Sequence, residues 1–234
     1  MAVKIWTTDI KNCYVWSTAV KWIYCWTTKV RPTGWTPWAN TIAYYPLNSE
    51  TTVNDKSGNG YNLTNSSVSF WLQSGIDCAY TTNWVLSATI STLPLSSSAR
   101  TISTWCLVTS STWAIWSYWN QSSKQQCTMY KFVNNIYMSW YGDDINTWTS
   151  FPSWWCNIVY TYNGTTWRIY LWWTLIKEQA QSLNTNWTTF RIFRASNNGD
   201  QMQWRVWETI IENKVRTATE ISKYYNDTKA DYWL

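Results

Sequence analysis

One stretch near the middle of the chain, residues 153–175, restricts the fold more than any other part of the sequence. Aromatic and β-branched residues fill positions 158–162, and this run ends at Asn163-Gly164. Asn-Gly between two such runs is the strongest short-range signal for a β-hairpin, because both residues tolerate the positive φ of a type I′ turn. The sequence therefore predicts a hairpin whose second strand covers 168–171, followed by a turn at Trp172-Trp173 and a third strand.

Tryptophan stands at several positions where a turn is expected. Large side chains are outliers at positive φ, yet Trp172-Trp173 lies at a tight turn, and Asn186-Trp187-Thr188-Thr189 nearly copies Asn163-Gly164-Thr165-Thr166. The chain has 23 Trp and 7 Gly in 234 residues, so glycine is about 3% against a usual ~7%. The resulting hypothesis is that most turn tryptophans are glycine in the natural protein, because the source organism reads UGA as glycine.

The alternative to recoding is a tryptophan-rich binding surface, but aromatic platforms do not select turn positions. Trp105 and Trp155 lie inside strand-like runs, and they are expected to be genuine.

Charge and hydropathy exclude two classes of partner. The net charge is +5, and the Lys and Arg residues are spread along the chain without a block, which argues against nucleic-acid binding. No run approaches the ~20 apolar residues that span a bilayer, and the N-terminus lacks the apolar region of a secretory signal. We therefore expect no membrane partner, and release by cell lysis, as for a phage virion protein.

Residues 3–32 form an internal repeat with a period of ten, in which Trp6, Trp16 and Trp26 occupy the same column. With Gly in that column, each unit reads as a short strand, a turn and a second short strand. Units this short cannot bury a core alone and need stacking or oligomerisation. The repeat resembles those at the N-terminus of many phage structural proteins, which implies a docking or oligomerisation segment, with a trimer as one candidate. A plain β-meander is the alternative.

The six cysteines include no Cys-x-x-Cys pair, and the chain has no His. A conventional zinc site is therefore not expected. Cys106 and Cys156 lie in predicted strands, whereas Cys13 and Cys25 lie in the repeat. Two interpretations stay open: small buried hydrophobic side chains or a disulfide framework.

From Thr41 onward, strand-sized runs alternate with turn signals about every ten residues, which predicts a two-sheet antiparallel sandwich or jelly roll. Near the C-terminus, Thr217 and Glu220 form a capping-box pattern that predicts one short helix. The predicted strands outside the central hairpin are 41–47, 67–70, 85–90, 101–108, 114–119, 127–132, 136–140, 189–193 and 204–212.

The order of short motifs over residues 41–225 resembles the laminin-G-like jelly rolls of the concanavalin A-like lectin/glucanase superfamily. Members usually have Gly where Trp154, Trp173 and Trp204 stand, which agrees with recoding. The motifs are Ala43-Tyr-Tyr-Pro-Leu47, Asp55-Lys-Ser-Gly-Asn-Gly60, Thr101-Ile-Ser-Thr-Trp105, Trp154-Trp-Cys-Asn-Ile-Val-Tyr-Thr-Tyr-Asn-Gly164, Arg168-Ile-Tyr-Leu171, Trp204-Arg-Val-Trp-Glu-Thr-Ile-Ile211 and Thr219-Glu-Ile221.

The resemblance and the repeat together imply four segments. Residues 1–33 form the docking segment, 34–40 a linker, 41–225 the jelly roll with two sheets packed face to face, and 226–234 a C-terminal tail.

The resemblance also implies a structural Ca²⁺. Asp55 and Asn59 place hard oxygen donors on one turn, which suits Ca²⁺, and Glu208 would supply a further ligand by resemblance to the family. The alternative is an Asx-type turn that uses the same residues. A second oxygen-rich loop, Asp143-Asp144, is interpreted as an ordinary hairpin connection.

The sequence argues against an enzyme. Glycoside hydrolysis needs two carboxylates that face each other across the bond, and the Glu-x-Asp-x-x-Glu strand of some enzymes in this superfamily is absent. The lack of His also removes His-based triads. Tyr118, Tyr137, Trp140 and Tyr141 are aromatic residues available for sugar binding, although none is assigned to a site.

We therefore predict a non-enzymatic structural or binding protein of a phage virion, in a tail, a fibre or a capsid decoration. Its jelly roll would bind a host-surface glycan, and its partners would be other virion proteins or further copies of itself. The alternative is a bacterial cell-surface adhesin or an extracellular filament subunit with the same fold.

Overall fold

The computed structural model describes residues 23–25, 28–30, 38–48, 53–73, 76–81, 84–108, 113–118, 122–195 and 204–229. The chain divides into two units, 1–37 and 38–234. In the first unit, β1 (Ile23–Cys25) pairs antiparallel with β2 (Thr28–Val30), as predicted for the third repeat unit. The first two ten-residue repeats, with Cys13, lie outside the described residues, as do residues 34–37 of the predicted linker.

The second unit is built from strands and one helix, and none of the helices in the described part of the chain is long and apolar enough to cross a membrane. Its elements are β3 (Thr41–Tyr45), β4 (Thr64–Ser66), β5 (Ser69–Gln73), β6 (Ile76–Thr81), β7 (Val85–Thr89), β8 (Arg100–Val108), β9 (Trp113–Tyr118), β10 (Cys127–Phe132), β11 (Asn135–Ser139), β12 (Ile145–Ser150), β13 (Cys156–Tyr162), β14 (Thr166–Leu171), β15 (Thr174–Ala180), β16 (Thr189–Ile192), β17 (Trp204–Glu212) and α1 (Ala218–Thr228).

The strands form two antiparallel sheets, which confirms the predicted all-β sandwich. One sheet has seven strands in the order β12-β11-β10-β9-β16-β7-β4. The other has eight strands, with the path β15-β14-β13-β8-β17-β6-β5 and β3 paired to β17. Because the strand order is far from the sequence order, many pairs join residues distant along the chain, as in a jelly roll.

The core lies between the sheets, and α1 covers the opposite face of the eight-stranded sheet. Alternation along β13 directs Ile158 and Tyr160 into the core, whereas Val159 packs against Tyr170 and Ile221 of the helix. Full burial of an aliphatic side chain such as Ile158 or Val159 contributes about 1.5–3 kcal/mol to the free energy of unfolding. The helix begins with the predicted capping box of Thr217 and Glu220.

The central hairpin is confirmed, but its turn is not type I′. Gly164 has a φ of +100° whereas Asn163 is not in the left-handed region. The Asn163 side chain instead accepts hydrogen bonds from the backbone N–H groups of Thr165 and Thr166. A Cβ at Gly164 would lie 2.7 Å from the carbonyl oxygen of Ser97. Glycine is therefore favoured here for two reasons, the positive φ and the close approach of the Ser97 backbone.

Among the tryptophans in the described ranges, two adopt the left-handed backbone conformation that strongly favours glycine. Trp148 has a φ of 59° and Trp172 a φ of 58°. The Trp148 side chain is 80% exposed, so little packing offsets its backbone strain. Trp173 and Trp187, which also stand at expected turns, do not have positive φ.

Replacing Trp148 with Gly should raise the free energy of unfolding by about 0.5–1 kcal/mol, because relief of strain exceeds the flexibility that Gly adds to the unfolded chain. Urea denaturation of the full chain measures this change. The control is Trp105→Gly, which removes a fully buried ring and should cost at least about 3 kcal/mol. Equal losses in both variants would contradict the strain at Trp148.

Candidate functional site

The loop at residues 53–61 uses its polar groups to bind its own backbone. The two carboxylate oxygens of Asp55 accept hydrogen bonds from the N–H groups of Tyr44, Ser57 and Tyr61 at 2.9, 2.8 and 3.1 Å, and from the Ser57 hydroxyl at 2.8 Å. This arrangement contains the Asx-type turn considered from the sequence.

The side chain of Asn59 ties the same loop to β3. Its Nδ2 donates to the carbonyl oxygens of Thr41 and Ile42 at 3.1 and 2.9 Å. The Ser57 hydroxyl also donates to the Ile42 carbonyl oxygen, at 3.0 Å, so two side chains of the loop bind the backbone of β3.

Glu208 lies apart from this loop. Its carboxylate is fully buried on β17 and accepts hydrogen bonds from the hydroxyls of Tyr44, at 3.0 Å, and Tyr224. Asp55 binds the backbone of Tyr44 and Glu208 binds its hydroxyl, so the two carboxylates lie at opposite ends of that residue. Within the described ranges, no group of three or more His, Cys, Asp or Glu residues could hold a metal ion. Calcium binding by Asp55, Asn59 and Glu208 stays a prediction.

A different region offers a ligand-sized space. An open cleft of about 640 Å³ lies where the Gly142–Ile145 turn before β12 approaches the end of β15. Strands β12 and β15 are edge strands of the two sheets, so the cleft opens at one rim of the sandwich. Its lining residues are Lys124, Gly142, Asp143, Asp144, Ile145, Gln179, Ala180, Gln181 and Ser182.

Gln181 fixes one wall of the cleft through four hydrogen bonds. Its side chain accepts from the indole Nε1 of Trp167 at 3.1 Å and donates to the Asp143 carboxylate at 3.3 Å. Its carbonyl oxygen accepts from the Tyr162 hydroxyl, and its N–H donates to the Thr165 carbonyl oxygen. Because both Trp167 and Tyr162 are anchored in the core, the position of the Asp143 carboxylate is set before any ligand arrives.

Aromatic rings continue from the opposite wall onto the outer face of β10 and β11. The Tyr130 hydroxyl donates to the Asp144 carboxylate at 3.1 Å. Tyr130 and Tyr137 are directly opposed across the two strands, with ring centroids 5.3 Å apart. Phe132 lies 5.5 Å from Tyr137 and is 44% exposed. These rings form a partly exposed apolar surface next to the polar cleft.

The structure separates the four aromatic residues that the sequence offered for sugar binding. Tyr137 and Tyr141 reach the surface, whereas Tyr118 and Trp140 are fully buried in the core. The Asp143-Asp144 loop, interpreted as an ordinary hairpin connection, lies in the cleft. The sequence did not single out Lys124 or Gln181, because three distant segments form this site and none carries a motif by itself.

Comparison with solved structures identifies domains of the same fold. The binding domain of Paraclostridial mosquitocidal protein 1 matches with a TM-score of 0.65 and 15% identity, over 80% of this chain and 52% of that chain. Domain 4 of an extracellular GH43 arabinanase from Geobacillus stearothermophilus, in complex with arabinotriose, matches with a TM-score of 0.63 and 10% identity, over 79% of this chain and 97% of that chain. A structure of botulinum neurotoxin type C, whose cell entry depends on two ganglioside molecules, matches with a TM-score of 0.58 and 15% identity, over 80% of this chain and 51% of that chain.

These identities establish the fold alone. The chain covers about half the length of the mosquitocidal binding domain that it matches. No protein-family model matches the chain, and no curated protein matches its sequence.

Replacing Gln181 with Ala should lower the free energy of unfolding by about 1–3 kcal/mol, because the buried indole N–H of Trp167 would lose its acceptor. Chemical denaturation measures the change. The control is Gln179→Ala, an exposed side chain that lines the same cleft and should change stability by less than about 0.5 kcal/mol. A loss as large in the control would show that Gln181 has no special structural role.

Proposed function

We propose that this protein is a non-enzymatic glycan-binding jelly roll. The observation that carries the proposal is the rim cleft, in which fixed carboxylate and amide groups lie beside partly exposed aromatic rings. Sugars present hydroxyl groups that hydrogen-bond to such side chains and C–H faces that pack on aromatic rings. Ligand sites in proteins commonly combine an apolar surface with a few convergent polar groups.

The charges of the cleft favour a neutral oligosaccharide. Asp143 and Asp144 contribute two negative charges against one positive charge from Lys124. Carboxylates accept strong hydrogen bonds from hydroxyl donors, but they repel sialic or uronic acids.

A binding role is favoured over catalysis by the arrangement of the two carboxylates. Asp143 and Asp144 are adjacent on one loop, and each is already bound to a neighbouring side chain. A glycosidase needs carboxyl groups on opposite sides of the scissile bond. The arabinotriose complex of the arabinanase domain and the ganglioside dependence of the neurotoxin support sugar binding as a function that this fold can serve.

The test is isothermal titration of the full chain with a panel of neutral trisaccharides that includes arabinotriose, and with sialyllactose as the anionic probe. We expect a neutral trisaccharide to bind and Asp144→Ala to weaken it by about 10-fold or more, since hydrogen bonds to charged groups contribute ~1.5–3 kcal/mol. The control is Asp227→Ala, which removes the same charge from an exposed ion pair on α1 and should leave affinity unchanged. Unaltered binding by Asp144→Ala, or binding of sialyllactose alone, would overturn the proposal.

We further propose that the protein is a phage virion component whose N-terminal repeat docks to the particle or forms a homo-oligomer. The support is the period-ten repeat at residues 3–32 and its resemblance to phage structural proteins. We also propose that tryptophans at turns are glycine in the natural protein, which the positive φ of Trp172 supports. We extend the proposal to Trp148, which lies in β12 and also has a positive φ.

Peptide mass spectrometry of particles purified from the source sample tests both proposals. We expect the peptides that contain Trp148 and Trp172 to carry Gly at these positions and to co-purify with capsid proteins. Peptides that carry Trp would refute recoding and favour a tryptophan-rich lectin. Gly-containing peptides found only in a cell-envelope fraction would replace the virion proposal with the surface adhesin.

A further inference from the structure

We propose that Cys106 and Cys156 form a disulfide that joins β8 to β13 at the centre of the eight-stranded sheet when the chain folds under oxidising conditions. The two residues are direct cross-strand partners in the antiparallel register. Both are fully buried, and they are free thiols in this structure.

The geometry of the pair allows the bond. Directly opposed residues in antiparallel strands have Cα atoms about 4.5 or 5.5 Å apart, and disulfides span Cα distances of about 4.4–6.8 Å. Both side chains face the core between the sheets, and the two thiols are close enough to hydrogen-bond to each other. Opposed residues have Cβ atoms about 4.5–5.5 Å apart and a disulfide needs about 3.5–4.5 Å, so an approach of about 1 Å would bring this pair into range.

The other two buried cysteines in the described ranges have no such partner. Cys78 donates to the carbonyl oxygen of Trp71 at 3.4 Å and is opposed to Trp71 across β5 and β6. Cys127 is opposed to Tyr118 across β10 and β9 and lies beside the Tyr160 hydroxyl. Oxidation should therefore be selective for the Cys106–Cys156 pair among these four.

The reaction needs an external oxidant, and a small-molecule disulfide such as oxidised glutathione supplies it. The Cys106 thiolate attacks one sulfur of oxidised glutathione, which releases one glutathione thiolate and leaves a mixed disulfide. The Cys156 thiolate then attacks the Cys106 sulfur, which forms the protein disulfide and releases the second glutathione. Two electrons pass from the cysteines to the oxidant, and the two thiol protons end on the two glutathione thiolates.

The timing of oxidation follows from burial. Burial raises the pKa of the Cys106 thiol, and hydrogen bonding to Cys156 raises it further. The folded, reduced protein therefore holds little of the reactive thiolate, and small oxidants cannot reach it. The bond should form during folding, before the core closes, and hardly at all once folding is complete.

The experiment refolds the full chain with a mixture of oxidised and reduced glutathione, alkylates remaining thiols and maps peptides without reduction. We expect a cross-linked peptide pair that joins Cys106 to Cys156, with Cys78 and Cys127 alkylated. The oxidised protein should melt about 5–10 °C higher than the same sample after unfolding and refolding in reductant. A chain folded first under reducing conditions should gain no cross-link when oxidised glutathione is added.

Two matched double variants separate the bond from general effects of cysteine loss. Cys106→Ala with Cys156→Ala should abolish the difference in melting temperature between oxidised and reduced samples. Cys78→Ala with Cys127→Ala should retain that difference. If the cross-link is missing from the wild-type map, or if another cysteine pair carries it, the proposal is wrong whether or not the variants fold.

Discussion

The pairing of β8 with β13 and β17 is the constraint on which the rest of the structure depends. Strand β8 is buried along all nine of its residues, since one face meets the opposite sheet and the other meets α1. Its neighbours pair with it over nearly their full length. A shift of this register by one residue would exchange the two faces of the strand. The side chains that now pack on the opposite sheet and those that pack on α1 would then both be misplaced.

A buried ion pair lies between the end of β17 and the start of α1, away from the cleft. Arg216 donates to Glu212, and both are nearly fully buried. The Arg216 guanidinium also lies 3.6 Å from the ring centroid of Trp38. Burial raises the pKa of Glu212, although the positive charge of Arg216 acts in the opposite direction. Such a pair fixes orientation more than it adds stability, since desolvation offsets most of its attraction.

The cleft lies at the rim of the sandwich, beside an edge strand of each sheet. Among the strands that the structure describes, β12 and β15 each have one unpaired side, so the loops beside them can carry polar side chains without disturbing a hydrogen-bonded ladder. The core still reaches this rim through Trp167 and Gln181. Side chains held in this way would lose little conformational entropy on binding a ligand, which is why the proposed site needs only a small number of contacts.

The sequence by itself determined the local features of this protein. Asn163-Gly164 predicted the hairpin, alternating runs predicted most strands, and Thr217 with Glu220 predicted the start of α1, because each of these signals acts within a few residues. It missed β4, β6 and β12, whose runs are short or carry polar and turn-forming residues. Only the tertiary structure brought Lys124, Asp143 and Gln181 together and set Cys106 opposite Cys156. Those neighbours are decided by strand order and register across the whole chain, which no local pattern encodes.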